Sequence, residues 1–381
     1  MRLAVVVQRY GEEVIGGSER HSRLLAEHFS EQHEVTVLTT CAIDYRTWAN
    51  KLPAGREVLN RVNMIRFPVE RRRNWRYFGW KSKRLFSTRH SLLDEYRWVI
   101  DQGPECPALI KYIRTNASDF DLFVFFTYLY YPTFFGLPMA AQKSVLIPTA
   151  HDEPAINLDI FSTLFHLPRF IAFNTQEEQR FVHETFHNDY IPSDVIGVGV
   201  DLDTTPNRDE GYLLYMGRIE NGKGCNELFE FIRKAGVPLK MIGQALIPIP
   251  KHVEYLGVVN ELEKSALLAE CRALVVPSRN ESLSLAVLEA WAHGKPVIVS
   301  AHSPVLRAHV QKSGGGYSYN NDVEFRTIIQ NVDPMRGLAG RRYVEENYSW
   351  SKILEKYHEV FSFLMSGSSS SLPERQLRCT R

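Results

Sequence analysis

Glu281 and Glu289 lie eight residues apart in a stretch that reads as loop, helix, tight stop and buried strand. Ser282 or Ser284 can cap the helix, Gly294 can end it, and Pro296 opens the run Pro-Val-Ile-Val. The helix is apolar nearly all round and is expected to be buried. Glu289 is the odd residue in it. Its helical neighbours are Leu285, Ala286, Ala292 and His293, none of them Lys or Arg. An unpaired buried carboxylate is costly, and a polar ligand such as a sugar hydroxyl would satisfy it. Glu281 precedes the helix, where free backbone N–H groups and the helix dipole favour an anion. Two acids bracketing such a helix start point to a sugar nucleotide. The plainer alternative is a capping acid plus a half-exposed surface acid.

Other candidates follow apolar runs. Arg218 comes directly after Gly211-Tyr-Leu-Leu-Tyr-Met-Gly217, and Lys223 lies between Gly222 and Gly224 before a helix. Arg grips phosphate bidentately and Lys adds a point charge; two solvated loop cations are the alternative. The turn from Gln8 to Arg20 holds Gly16 and Gly17 at a helix start but lacks the G-x-G-x-x-G spacing. Paired glycines there let backbone N–H groups approach a ligand, or form an ordinary turn. His151, Asp152 and Glu153 stand at another strand's end, where His151 suits a sugar contact and Asp152 an orienting role; adjacent residues rarely converge on one metal. Residues 61–90 hold ten Lys or Arg and one acid, Glu70, among Trp75, Tyr77, Phe78, Trp80 and Phe86. That mixture suits an anionic lipid surface or a phosphate-bearing acceptor, or else a solvated basic helix pair. No nucleic-acid module accompanies it, so a nucleic-acid partner is not expected.

These residues need a scaffold. Apolar runs at 3–7, 34–39, 62–67, 121–126, 144–149, 170–173 and 194–198, then at 212–216, 238–242, 253–256, 273–276 and 296–299, read as strands. Helical patterns at 18–29, 176–187, 225–235, 260–271, 284–293 and 303–312 intervene. The alternation predicts an α/β chain of two doubly wound domains, with a ligand in the cleft at the strands' carboxyl ends. The expected domains are 1–199 and 212–349, joined by a polar linker at 200–211. A closing helix at 350–365 and a disordered, Ser-rich tail at 366–381 follow. The 381 residues, net charge of +1 and 44% hydrophobic content suit an ordinary two-domain enzyme. Five scattered cysteines without C-x-x-C suit a reducing cytoplasm and argue against disulfides or zinc. No apolar run reaches the ~20 residues of a membrane span, and the N-terminus reads as a first strand.

Together these segments resemble the family 4 retaining glycosyltransferases of GT-B fold over roughly residues 1–360. The resemblance rests on Glu281-x7-Glu289 with Gly294-Lys-Pro-Val-Ile-Val-Ser300, on Gly217-Arg218-x4-Lys223-Gly224, on Gly16-Gly17 and on His151-Asp152. It implies two Rossmann-like domains facing a central cleft. It implies that Arg218 and Lys223 hold the donor diphosphate with the backbone of Leu283, Ser284 and Leu285. Glu289 would bind the ribose, Glu281 the transferred sugar, and His151 that sugar from the opposite domain. Many members read Glu-Gly-Phe-Gly where this chain has Glu281-Ser282-Leu283-Ser284, which puts the donor sugar in doubt. The reading is hexosyl transfer from a nucleotide-diphosphate sugar to a hydroxyl acceptor with retention, in polysaccharide or glycolipid synthesis. The leaving phosphate oxygen would serve as base. The expected partners are the nucleotide sugar and a glycan or lipid-linked acceptor, with peripheral contact at the inner membrane face through 61–90. Without a D-x-D motif, no metal or other cofactor is expected. A non-catalytic sugar-nucleotide-binding subunit and a sugar-nucleotide epimerase are the alternatives.

Overall fold

The computed structural model of the chain describes residues 1–366. The first of its two sheets contains β1 (Arg2–Val6), β2 (Glu34–Thr40), β3 (Gly55–Leu59), β4 (Val62–Phe67), β5 (Leu122–Phe126), β6 (Ser144–Ile147), β7 (Phe170–Phe173) and β8 (Ser193–Val195). Their order is β3-β4-β2-β1-β5-β6-β7-β8, with β3 antiparallel at the edge and the rest parallel. The second sheet contains β9 (Leu213–Met216), β10 (Leu239–Ile242), β11 (Glu254–Gly257), β12 (Ala273–Val276), β13 (Val297–Ser300) and β14 (Gly316–Tyr319). Its order, β11-β10-β9-β12-β13-β14, is parallel throughout.

The chemistry of the strands explains their places. β5 is Leu-Phe-Val-Phe-Phe with every side chain buried, as a strand covered on both faces by helices requires. β3, Gly-Arg-Glu-Val-Leu, is exposed and carries no apolar run, so the sequence pattern does not reveal it. β14, Gly-Tyr-Ser-Tyr, escapes for the same reason. The expected helices appear as Gly17–Phe29, Gln176–Phe186, Cys225–Ala235, Glu261–Glu270, Leu285–Ala292 and Pro304–Ser313.

Each sheet changes winding direction once, between β1 and β5 and between β9 and β12. Connections there leave on opposite faces and open a crevice at the strands' carboxyl ends. The turn after β1 carries Gly16 and Gly17, and the turn after β9 carries Arg218.

Residues 199–210 carry neither helix nor strand, but they are tied down. Ser265 donates to Asp203 at 2.7 Å, and His293 Nε2 lies 2.9 Å from the same carboxylate. The last helix, Trp350–Ser366, returns to the first half. Phe29 meets the edges of Tyr357 and Phe361 at 5.1 and 5.2 Å, and Trp350 lies 3.8 Å from the His28 ring. Burying these rings couples the two halves through one core. Of the tail expected at 366–381, Ser366 ends this helix and the remainder lies outside the described residues.

Candidate functional site

The cleft has two lobes. One is a cavity of about 190 Å³ and the other of about 350 Å³. They share a waist lined by Gly16, Gly17, Arg218, Lys223, Glu281, Ser284 and Leu285. His151 and Leu283 line the first lobe only, and Glu289 the second only. The structure therefore brings all ten candidate residues to one cleft, from both sheets.

The waist is built for an anion. Gly17 starts the helix Gly17–Phe29, and a Cβ on Gly16 would lie 2.1 Å from Glu19 Oε2, so a larger residue there would have to displace the Glu19 carboxylate. Facing it, the helix Leu285–Ala292 begins without a side-chain cap. Among the described residues, no acceptor engages the N–H groups of Ser284, Leu285 or Ala286. These groups and the dipole they end are free to meet a phosphate. Ser284 corrects the capping expectation: it occupies the cap position, but its hydroxyl accepts nothing from the helix. Its backbone lies at φ 78°, ψ 88°, a left-handed conformation that costs a non-glycine residue on the order of 1–3 kcal/mol. Thr127 and Thr149, after β5 and β6, also have positive φ, and the Thr149 hydroxyl donates to Thr127 at 3.1 Å. Strain in β-branched residues is unusual, and Thr149 lines the first lobe.

The cations of the waist are held by acids. Lys223 Nζ lies 2.7 Å from Glu281 Oε1. Burial pushes the Glu281 carboxyl up, but Lys223, a hydrogen bond with Ser278 and the nearby His151 outweigh it and hold its pKa below the ordinary value. Arg218 lies 3.4 Å from Glu220 and 4.9 Å from the Tyr45 ring centre. Burial opposes its charge, yet Glu220 keeps its pKa above the usual guanidinium value. Tyr45, from the opposite wall, donates to Glu220 at 3.2 Å.

Glu289 requires a correction. It lies on the half-buried face of its helix with Leu285 and Ala286, and it is paired. Lys264 Nζ approaches Oε1 at 2.9 Å and Arg20 Nη2 at 3.0 Å. Arg20 also forks onto Glu261 at 2.6 and 3.1 Å. Helical spacing within one element could not reveal partners that arrive from two others. The carboxylate therefore does not need a ligand for its charge, but its partners are exchangeable because all line the open second lobe.

The N-terminal wall contains residues that sequence reasoning passed over. Arg9 and Glu19, each 5% exposed, form an ion pair at 2.5 Å with a second bond through Nε at 3.0 Å. Arg9 also donates to the Ile43 carbonyl at 2.6 Å, fixing the loop that carries Tyr45. Tyr130, Thr149 and Asn174 complete this wall. Thr149 and Asn174 follow β6 and β7, so the strand-end rule could have found them; Tyr45 and Tyr130 give no sequence signal. Glu178, fully enclosed, accepts from the backbone N–H groups of Ala150 and Asn174 at 2.5 and 2.7 Å. It thus fixes both loops, including the one bearing His151. Burial pushes its carboxyl up to about 8 against the pull of those N–H groups.

Two further expectations change. Asp152 is exposed and does not line the cleft, while Glu153 accepts from Tyr128 at 2.8 Å. The three adjacent residues diverge, and among the described residues no three His, Cys, Asp or Glu converge as metal ligands. In the basic stretch, Arg66 pairs with Glu57, Arg71 with Asp101 and Glu105, and Lys81 with Asp101. Arg73 is buried and donates to the carbonyls of Tyr45, Arg46 and Gln102. Four of the ten cations thus serve the fold. No helix among the described residues is long and apolar enough to cross a membrane.

Residues 203–324 match the family described as Glycosyl transferases group 1. An uncharacterised glycosyltransferase of Methanocaldococcus jannaschii is 25% identical over 187 residues, 45% of this chain and 53% of that protein. The chain spans about half the length of the curated relatives it matches. Among solved structures, sucrose-phosphate synthase of Thermosynechococcus elongatus superposes with a TM-score of 0.73 at 16% identity, covering 96% of this chain and all of that one. Anabaena HepE in complex with UDP-glucose superposes with a TM-score of 0.67 at 15% identity, covering 95% of this chain and all of that one. These likenesses show the shared fold, two Rossmann-like sheets facing a cleft.

Proposed function

We propose that this chain, of GT-B fold and with a glycosyl transferases group 1 region at residues 203–324, transfers a sugar from a nucleotide-diphosphate sugar to a hydroxyl acceptor with retention of configuration. One observation carries the reading. The two lobes meet at a waist where Arg218, Lys223 and an uncapped helix start converge. A diphosphate fits that waist by charge and by its need for N–H donors. The second lobe offers Tyr215, Ile242, Val258 and Val259 to a base and Glu289 to ribose hydroxyls. The first offers Glu281 and His151 to the transferred sugar. His151 Nδ1 has no partner among the described residues, as a group waiting for a ligand would not. HepE, of the same fold, has been solved in complex with UDP-glucose, which supports a donor of this class.

The chemistry follows from the pairing. On donor entry Lys223 exchanges Glu281 for a phosphate oxygen, which frees Glu281 for a sugar hydroxyl. Arg218, Lys223 and the N–H groups of Ser284 and Leu285 then stabilise the charge that builds on the departing diphosphate. The acceptor hydroxyl attacks from the face the phosphate leaves, and a phosphate oxygen takes its proton. The acceptor belongs to a polysaccharide or glycolipid, and the reaction takes place in the cytoplasm. The test is proton NMR of the product formed from a panel of α-linked nucleotide sugars. An α-linked product supports the reading. An inverted product overturns retention. Nucleotide binding without turnover makes the chain a non-catalytic subunit, and an epimerised nucleotide sugar formed without acceptor makes it an epimerase.

A further inference from the structure

The helix Trp75–Ser87 divides its residues sharply. Phe78 and Leu85 are buried, and Phe78 and Phe86 pack on Trp98 at 5.6 and 5.5 Å. At ~100° per residue, Arg76, Tyr77, Trp80, Lys83 and Arg84 fall within an arc of about 120° on the other side. Trp80 is 55% exposed and Tyr77 57%, with their ring centres 5.9 Å apart. The Arg84 guanidinium lies 5.7 Å from the Trp80 ring centre. The helix contains no acidic residue. Among the described residues, none of Arg76, Lys83 and Arg84 pairs with a carboxylate, in contrast to Arg71 and Lys81 beside them.

We propose that this outward face docks the protein on an anionic lipid bilayer. The match is one of charge and of ring chemistry. Cations without acids are drawn to acidic headgroups, and Trp and Tyr settle at headgroup depth. The apolar side of the helix is already spent on the core, so the helix does not sink into the acyl region as a free amphipathic helix does. Binding is therefore electrostatic, anchored by two rings, reversible and sensitive to salt. The face also lies near the cleft. Trp75 contacts Tyr45 at 5.9 Å, Tyr45 contacts Arg218 at 4.9 Å, and Trp80 stands about 8 Å further along the helix. On the proposed activity, a bilayer held there would present a lipid-linked acceptor to the waist; the docking itself does not depend on that activity.

The test is co-sedimentation of the full chain with vesicles of phosphatidylcholine, with and without phosphatidylglycerol, at low and high salt. The wild type is expected to sediment with the anionic vesicles at low salt, to leave them at high salt, and to ignore the neutral ones. The triple variant R76S/K83S/R84S should lose about fivefold per cation, on the order of 100-fold in partition coefficient. Trp80→Ala should weaken binding with its charges intact. None of these residues lines the cleft, so an unchanged melting temperature and nucleotide affinity certify that the variants are folded. Wild type that ignores anionic vesicles at low salt overturns the proposal, as does a triple variant that binds them equally. Capture by a soluble polyanionic glycan with no sedimentation on vesicles overturns it in favour of a glycan-binding face. Failure of sugar transfer alone would leave these readings untouched.

Discussion

The two walls of the cleft hold their charges in opposite ways. On the C-terminal wall, Lys223 with Glu281 and Lys264 with Glu289 form pairs whose side chains remain 15–26% exposed at the rim of a lobe. On the N-terminal wall, Arg9 and Glu19 are sealed at 5–6%, with Gln8 donating to the same carboxylate at 2.8 Å. An open pair can trade a partner for a ligand's phosphate or hydroxyl. A sealed pair cannot, because removing either member strands a charge away from water. The ions of the C-terminal wall are therefore open to a ligand, as the proposed function requires, whereas those of the N-terminal wall fix shape.

This contrast can be broken by substitution. Arg9→Ala should cost about 3–5 kcal/mol of folding stability, since it leaves Glu19 buried and unpaired. Urea unfolding measures it, and a loss below about 1 kcal/mol would place the pair with the open ones. Arg218→Ala or Lys223→Ala should instead lower turnover about 100–1000-fold with little change in stability, as loss of a transition-state donor does. Turnover within about threefold of wild type in both variants removes these residues from the reacting centre.

Smaller effects sharpen the division within the C-terminal wall. Glu289→Ala should weaken nucleoside diphosphate binding by about 10–100-fold, the worth of one charged hydrogen bond to a ligand. Glu281→Ala should chiefly slow transfer. Calorimetry separates them, and equal loss of affinity in both variants merges their roles. Loss of folding in Glu289→Ala would make its pairs with Arg20 and Lys264 structural.

A further effect, read as a pH slope, concerns Glu178, behind the N-terminal wall. Its folded pKa of about 8 lies above the ordinary 4.5, so between those values the folded state keeps a proton that the unfolded chain has released. The stability this group contributes is whole below pH 4.5 and declines as pH rises towards 8, by up to about 1.4 kcal/mol per unit. Glu178→Gln should flatten that slope. An unchanged profile would show that the carboxyl is already ionised against its two N–H donors.

The same contrast decides what was legible in the sequence. The C-terminal wall is written in short segments, each a strand end followed by a turn and a helix, so Arg218, Lys223, Glu281 and the start at Leu285 announce themselves. The N-terminal wall is assembled from Arg9, Glu19, Tyr45, Tyr130, Thr149 and Asn174, brought together only by the folded sheet. No local pattern ties Tyr45 to Arg218, and none pairs Arg20 with Glu289. The strands with unbroken Val, Ile, Leu or Phe runs were readable. β3 and β14 were not, because an exposed edge strand and a strand of Gly, Tyr and Ser carry no burial signal. The basic stretch misled in part: its composition showed ten cations but not that Arg73 holds the Tyr45 loop.

On the proposed function, the waist binds a diphosphate through Arg218 and Lys223. Calorimetric titration of each common nucleoside diphosphate, and its parent nucleoside, into wild type and R218A/K223A tests this binding. One diphosphate is expected to bind wild type more tightly than its nucleoside. The double variant should lose at least about tenfold for the diphosphate and almost nothing for the nucleoside. A diphosphate that binds both proteins equally, or a wild type that binds none, would contradict it.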